Sequence, residues 1–296
     1  MQVYRYDAFS HVPNRGNPAG VLLEADKLTG DEMQEIAKAV GFNETAFVLQ
    51  SDIADIRLRY FTPGHEMNLC GHGTMAAIYA LYDQHFWTEM GEMRVETKAG
   101  ILTVKTERLD HGQLEITMEQ ATPAFKLFSG SHLDLAEAIG IEIDDLSEEW
   151  PIMYGSTGVW TLLVPIKNRE TFQKMKPDNA RFPEILKEIP RASVHPFCLE
   201  TIDPKATMHA RHFSSPFSGT IEDPVTGTAS GVMGAYYATY ISPDFKNQLN
   251  IMVEQGTEVG RDGKVIVHVH KREATYEIKI TGTAVYVESI GVSIQR

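Results

Sequence analysis

The sequence predicts an α+β protein built from two related lobes, and three observations support this fold class. The chain has 296 residues, about twice the length of a typical domain. Patterns typical of short strands alternate with a few helical patterns along the whole chain. An internal repeat also matches Arg59–Thr62 to Arg211–Ser214, and then Glu66–Gly71 to Glu222–Gly227, which indicates that one unit was duplicated.

The N-terminal segment has the pattern of a strand, a loop and a second strand. Apolar residues recur between Val3 and Phe9, and turn-forming residues fill the stretch from His11 to Gly20. Val21–Leu23 is apolar again. We therefore expect two short strands, joined by a loop, before the first helix.

The first helix has clear signals at both ends. Thr29 and Glu32 have the spacing of a capping box, apolar residues follow at helical spacing, and Gly41 suits the C-terminus, so we predict a helix over residues 30–40. Glu44 then precedes an apolar run typical of a strand. Its side chain should therefore lie at the start of a strand rather than on a solvated helix face.

The remaining patterns alternate between strands and short helices. Polar residues and prolines make residues 119–130 the best linker candidate. We therefore predict one lobe over residues 1–119 and another over 120–279, with a final strand at about 280–296 that can return to the first lobe. Helices are predicted at 71–81, 131–140 and 228–239, helical material at 169–189, and strands at 56–61, 93–98, 101–106, 113–118, 160–165, 208–213 and from 250 onward.

Charge and composition argue against several function classes. The formal net charge is -13 and the pI is about 5.3, without a run of basic residues, which argues against nucleic-acid binding. No apolar stretch approaches the roughly 18 residues of a membrane span, and the first residues lack the pattern of a secretion signal. The two cysteines, Cys70 and Cys198, fit a reducing compartment. We expect a cytoplasmic protein that binds neither nucleic acid nor membrane.

Two glycine-rich turns, one in each copy of the repeat, precede predicted helices. The first contains Gly71 and Gly73, and the second contains Gly227 and Thr228. Helix N-termini carry free N–H groups and a partial positive charge, so such turns suit a substrate carboxylate. The alternative is that small residues serve only close helix packing.

Three side chains are candidates for catalysis. Glu44 lies among aromatic residues, where partial desolvation suits a general acid/base, although it could instead cap a turn or pair with an arginine. His72 is at a helix start, which favours a neutral ring, and its alternative role is structural. Asp223 precedes the second turn and is suited to hold a substrate amine or hydroxyl, or to cap the helix.

Cys70 is either a thiolate activated by the helix N-terminus or a small buried apolar residue. Its repeat partner is Thr226, so no second thiol matches it, and a mechanism with two thiols is disfavoured. Metal binding is also not predicted, because His65 with His72 and His209 with His212 lack companion ligands.

Nucleotide-binding and hydrolase motifs are absent from the sequence. It contains no G-x-G-x-x-G after a strand, no G-x-x-x-x-G-K-[ST] and no G-x-S-x-G. We therefore expect that no cofactor is used and that side chains alone carry the chemistry.

Six short motifs occur in a fixed order along the chain. They are Asp7-Ala8-Phe9, Gly16-Asn17-Pro18-Ala19-Gly20, Asn43-Glu44-Thr45, Phe61-Thr62-Pro63, Leu69-Cys70-Gly71-His72-Gly73-Thr74 and Glu222-Asp223-Pro224-Val225-Thr226-Gly227. Together they resemble the PhzF-like family, within the diaminopimelate-epimerase-like fold, over nearly the whole chain. The resemblance implies two similar lobes, each a mostly antiparallel, barrel-like sheet around a central helix, with the active site between them and often a homodimer.

The resemblance also implies residue roles. The family's catalytic glutamate falls on Glu44, its motif histidine on His72 and its aspartate on Asp223, while a family serine falls on Thr228. Threonine keeps the hydroxyl but narrows the pocket, which argues for a different substrate. Cys70 matches the first of two cysteines that act in epimerase relatives, and the second is missing.

The sequence thus favours a cofactor-independent isomerase that moves a proton between carbons of a small carboxylate-bearing metabolite. Glu44 would serve as the acid/base group, with Cys70, Gly71, Gly73, Gly227 and Thr228 at the substrate. The alternatives are a racemase or epimerase acting at one carbon, and a ligand-binding protein without turnover.

Overall fold

The computed structural model describes residues 1–110 and 112–293, which form an α+β fold, as the sequence predicts. The chain divides into two compact units. The first comprises Met1–Glu119 and the residues from Thr281 onward, and the second comprises Gln120–Ile280. Residues 294–296 of the predicted final strand lie outside the described residues.

The helices are short and the strands are numerous. The α-helices are α1 (Gly30–Val40), α2 (Gly71–Asp83), α3 (His132–Ile139), α4 (Phe182–Ile185) and α5 (Gly227–Tyr236). The strands are β1 (Gln2–Ala8), β2 (Asn17–Leu22), β3 (Thr45–Leu49), β4 (Ile56–Phe61), β5 (Glu66–Met67), β6 (Gly91–Thr97), β7 (Gly100–Arg108), β8 (Leu114–Glu119), β9 (Ala124–Leu127), β10 (Met153–Ser156), β11 (Trp160–Pro165), β12 (Ser193–Cys198), β13 (Met208–Ala210), β14 (Gln248–Gln255), β15 (Gly263–Lys271), β16 (Tyr276–Gly282) and β17 (Ala284–Gly291). Within the described residues, no helix is long and apolar enough to cross a membrane.

Helix α1 confirms the prediction made from its capping signals. The Thr29 hydroxyl accepts a hydrogen bond from the Glu32 backbone N–H (3.2 Å), and the Glu32 carboxylate accepts one from the Thr29 N–H (2.8 Å). Gly41 ends the helix with a φ of 76°, the left-handed conformation that favours glycine. The buried side chains of Met33 and Ile36 attach this helix to the core of the first unit.

The predicted bounds of two strands, β2 and β13, are wrong. Strand β2 begins at Asn17, inside the predicted loop, because Pro18 pairs with Asp7 of β1 despite its turn-like sequence. Residues 124–127 of the predicted linker form β9, which pairs with β10. Strand β13 ends at Ala210 rather than at residue 213, since the residues that follow make only isolated bridges.

The helical material at 169–189 consists of two 3₁₀ turns and the four-residue α4.

The two units have the same order of strand pairings. In the first unit, the order of paired strands is β17, β1, β2, β3, β4, β6 and β7. The pairs β2–β3 and β4–β6 are parallel, and the other four pairs are antiparallel. In the second, β9 to β15 pair successively in the same order of directions. Helix α2 stands before β6, and α5 stands before β14, so the two helices occupy matching places in the two chain paths.

Side-chain contacts also repeat between the units. The Arg59 Nε donates to the Glu66 carboxylate (2.7 Å) and its guanidinium lies over the Phe61 ring, 5.1 Å from the centroid. In the second copy, the Arg211 Nε donates to the Glu222 carboxylate (2.9 Å), and the Arg211 guanidinium lies 4.8 Å from the centroid of the Phe213 ring. The matched contacts support duplication of one ancestral unit.

A buried histidine with two carboxylates should make the stability of the second unit depend on pH. His209 contacts Glu254 through Nδ1 and Glu258 through Nε2, each at 2.9 Å. Burial disfavours all three charges, but these hydrogen bonds outweigh it, raising the pKa of His209 above 6.5 and lowering the pKa values of both glutamates below 4.5.

We expect His209→Gln to cost about 3 kcal/mol of unfolding free energy between pH 4.5 and 6.5. The histidine contribution is fully present below its unfolded pKa and is lost as pH rises through the raised folded value. The glutamate contributions are present above their unfolded pKa and are lost as pH falls through the lowered folded values. Urea unfolding across pH should therefore show a smaller cost at both extremes, and a pH-independent cost would contradict this assignment.

Candidate active site

Glu44 lies between α1 and β3, where backbone pairing fixes its position. The Gly20 N–H of β2 donates to the Glu44 carbonyl (3.1 Å), and Gly20 is paired with Thr45, the first residue of β3. A Cβ at Gly20 would lie 2.9 Å from the Thr45 hydroxyl oxygen. This close approach of Thr45 explains why glycine occupies the strand position next to Glu44. This role of Gly20 was not predicted from the sequence, although Gly20 is part of one of the motifs.

The N-terminus of α2 presents Cys70 and His72. Cys70 is the N-cap, and its sulfur accepts the Gly73 N–H at 3.3 Å. The Thr74 hydroxyl donates to the Cys70 carbonyl (2.7 Å) and lies 2.6 Å from the Tyr60 hydroxyl oxygen. These buried contacts hold the turn rigidly at the start of the helix.

Glu44, Cys70 and His72 come together within the first unit. The His72 Nε2 lies 3.1 Å from the Glu44 Oε2, and the His72 Nδ1 lies 3.6 Å from the Cys70 sulfur. The side chains of Glu44 and His72 are 17% and 11% exposed, whereas Cys70 is buried. The Glu44 Oε2 is buried and is the oxygen that faces the His72 Nε2, so the histidine can hold this carboxylate in place.

The pKa directions oppose the expectation that His72 is a neutral ring. Burial alone lowers the pKa of His72, but its interactions with Cys70 and with the Glu44 carboxylate outweigh burial and raise that pKa well above its ordinary value. Burial raises the pKa of the Cys70 thiol more than His72 lowers it. These directions favour a charged His72 ring beside the Glu44 carboxylate and disfavour a thiolate at Cys70.

The predicted residues of the second turn lie in the second unit. Gly227 is the first residue of α5, and Thr228 is partly exposed, with its carbonyl accepting the Thr157 hydroxyl at 3.0 Å. The N-cap is Thr226, whose hydroxyl donates to the Asp223 carboxylate. The role of Asp223 toward a substrate stays a prediction, as do the roles of Gly227 and Thr228.

The histidine pairs considered in the sequence separate in the structure. His65 lies 3.2 Å from the Thr62 hydroxyl through Nδ1, while His209 contacts two glutamates. His212 contacts His195 instead, with 3.0 Å between the two Nδ1 atoms. The structure instead places His72 with Cys70 and Glu44, a grouping that no local spacing in the sequence indicates.

The glycines of the first turn should respond differently to an added methyl group. A Cβ at Gly73 would lie 3.0 Å from the Cys70 sulfur, whereas a Cβ at Gly71 would have no atom of the described residues within 4 Å. We expect Gly73→Ala to displace the capping sulfur and cost about 1–2 kcal/mol of unfolding free energy. Gly71→Ala should be neutral or stabilise by up to about 0.5 kcal/mol. Urea unfolding of both variants tests the packing around Cys70, and equal effects would contradict it.

Comparison with known proteins identifies relatives over almost the whole chain. A family model described as "Phenazine biosynthesis-like protein" matches residues 6–290. The uncharacterised isomerase YfhB of Bacillus subtilis is 52% identical, over 97% of this chain and 97% of its own length. A trans-2,3-dihydro-3-hydroxyanthranilate isomerase of Pseudomonas aeruginosa is 28% identical, over 95% of this chain and 97% of its own.

Solved structures resemble this chain in fold over almost its whole length. A phenazine biosynthesis protein of the PhzF family from Bacillus anthracis superposes with a TM-score of 0.97 at 56% identity, covering 99% of both chains. A probable proline racemase from Agrobacterium radiobacter has a TM-score of 0.64 at 12% identity, covering 99% of this chain and 93% of that one. The second likeness concerns the fold alone.

Proposed function

Since this chain belongs to the phenazine biosynthesis-like family and is an isomerase, as its relatives are named, we propose that Glu44 is the acid/base group of a proton shift between two carbons. The observation that carries the proposal is the position of Glu44. Its side chain is 17% exposed, and its Oε2 lies 3.1 Å from the His72 Nε2. A partly exposed carboxylate held by a neighbouring histidine is suited to take a proton from carbon.

In the proposed reaction, one carboxylate moves one proton. Glu44 removes a proton from a substrate carbon, and the electron pair of that C–H bond shifts into an adjacent unsaturated group. The same carboxyl then returns the proton to a second carbon on the same face, so that atoms and charge balance without a cofactor. The His72 ring keeps Glu44 oriented, and the Gly71 N–H at the start of α2 stabilises negative charge on the substrate.

The absence of a second matched thiol supports one base rather than two. Thr226 takes the place of Cys70 in the second copy of the repeat. The other cysteine, Cys198, is buried in β12 and donates through its sulfur to the Glu200 carbonyl at 3.2 Å. Inversion at a single carbon, which needs groups on both faces, is therefore the second candidate, favoured only by the contact between Cys70 and His72.

The substrate we propose is a small carboxylate with a neighbouring unsaturated group. The relative from Pseudomonas aeruginosa is named for a dihydro-hydroxyanthranilate, a compound of this kind. The resemblance to the family implies a serine at the position of Thr228, and the extra methyl group of threonine favours a differently shaped substrate. Asp223 would hold a substrate amine or hydroxyl. Homodimer formation and independence from cofactors remain predictions.

Transfer of label tests this proposal. Candidate cyclic and amino-acid-like carboxylates carrying deuterium at the acidic carbon are incubated with the enzyme in ordinary water and followed by proton NMR. A one-base shift predicts that part of the deuterium appears at the second carbon. Inversion at the first carbon, with complete loss of deuterium, would favour an epimerase. Binding of the panel without any exchange would favour a ligand-binding protein.

A further inference from the structure

We propose that Glu44, Cys70 and His72 bind a divalent metal ion of the zinc type, and that this ion inhibits the enzyme. The three residues offer one carboxylate oxygen, one sulfur and one imidazole nitrogen, all within 4.8 Å of one another. The claim of binding stands on the geometry of these side chains. The claim of inhibition rests on the proposed function of Glu44.

Two of the three distances between the ligand atoms are close to those of a tetrahedral zinc site. With Zn–S bonds of about 2.3 Å and Zn–N or Zn–O bonds of about 2.0–2.1 Å, tetrahedral ligand atoms are separated by about 3.3–3.6 Å. The Cys70 sulfur lies 3.8 Å from the His72 Nε2, and that nitrogen lies 3.1 Å from the Glu44 Oε2. The Cys70 sulfur and the Glu44 ligand oxygen lie within 4.8 Å of each other, so side-chain rotation would have to bring these two atoms up to about 1 Å closer to complete three corners of the tetrahedron.

The donor set also suits zinc chemically. Thiolate and imidazole are preferred ligands of Zn²⁺, and a carboxylate is a common third ligand. Three protein ligands leave a fourth position for water, as in catalytic zinc sites. Binding would need Cys70 as thiolate and His72 as neutral ring, so protons must be released when the metal enters.

The ion would block the proposed proton shift directly. A Glu44 oxygen bound to a metal no longer offers its lone pair to a carbon-bound proton. The ion would also occupy the start of α2, where the Gly73 N–H and its neighbours lie. Zinc should therefore compete with the substrate, raising KM more than it lowers kcat.

Cobalt and zinc titrations of the full chain, without a histidine tag, test the binding. Cobalt(II) should bind at one equivalent and give the near-ultraviolet absorption of a cobalt–thiolate bond, and zinc(II) should displace it. Cys70→Ser keeps a side chain able to cap α2 but removes the thiolate. It should abolish the band and weaken zinc binding about 100-fold or more.

Cys198→Ser is the matched control, because it removes the other buried thiol. This variant should keep both the band and the affinity of the wild type. A band that survives in Cys70→Ser, or that fails to form in the wild type, would overturn the site.

Inhibition is measured separately on any substrate found in the label-transfer experiment. Zinc should inhibit the wild type and Cys198→Ser competitively, while Cys70→Ser should need about 100-fold more zinc for the same fractional inhibition. Stoichiometric binding without inhibition would refute the inhibitory role and leave the site in place. If no substrate turns over, the proposed function fails, and the cobalt titration still decides whether the metal site exists.

Discussion

Glu44→Gln is expected to slow carbon–proton exchange by about 10⁴-fold, the upper end of the range for loss of a general acid/base group. Glutamine keeps the size of the side chain but cannot accept and return a proton. The backbone hydrogen bond from the Gly20 N–H to the Glu44 carbonyl does not involve the side chain, so the variant should fold. Proton NMR exchange rates and substrate affinity should be measured together, and affinity should change little.

Glu24→Gln provides the matched control. Glu24 lies just after β2 in the same unit, and its side chain is exposed. Its variant should exchange substrate protons at the rate of the wild type. If Glu44→Gln retained activity within about tenfold of the wild type, Glu44 would not be the acid/base group and the proposed mechanism would be wrong.

Local signals in the sequence predicted the helices well, whereas strand boundaries depended on distant partners. Helix α1 is delimited by Thr29 and Gly41, whose hydrogen bonds and backbone conformation involve residues within one turn. Strand β2 was missed at Asn17 because glycine and proline are typical of loops. What makes these residues a strand is pairing with β1 and the close approach of Thr45, which only the folded chain provides.

The candidate site was predicted residue by residue, but not as a cluster. Glu44 was correctly placed at the start of a strand, and His72 at the start of a helix. Their 3.1 Å contact joins two elements that are far apart in the sequence, so no spacing rule could indicate it. The prediction for His72 considered the helix dipole alone, whereas burial, Cys70 and Glu44 together set the direction of its pKa shift.

Arg211→Met is expected to destabilise the protein by about 3–5 kcal/mol, because it removes one partner of a buried ion pair. The Arg211 side chain is 8% exposed and donates to both oxygens of Glu222. It also donates to the carbonyls of Phe172 (2.7 Å) and Met175 (3.2 Å). Methionine keeps the apolar stem but leaves the Glu222 carboxylate and these carbonyls without a donor.

The first copy of the repeat supplies the comparison. Arg59 and Glu66 form the matching pair, but their side chains are 22% and 21% exposed, so water can replace the lost partner. Arg59→Met should therefore cost only about 1 kcal/mol. Urea unfolding midpoints of the two variants measure the difference, and adding Glu222→Gln to Arg211→Met should recover part of the loss. Equal losses would mean that burial does not set the strength of this repeated contact.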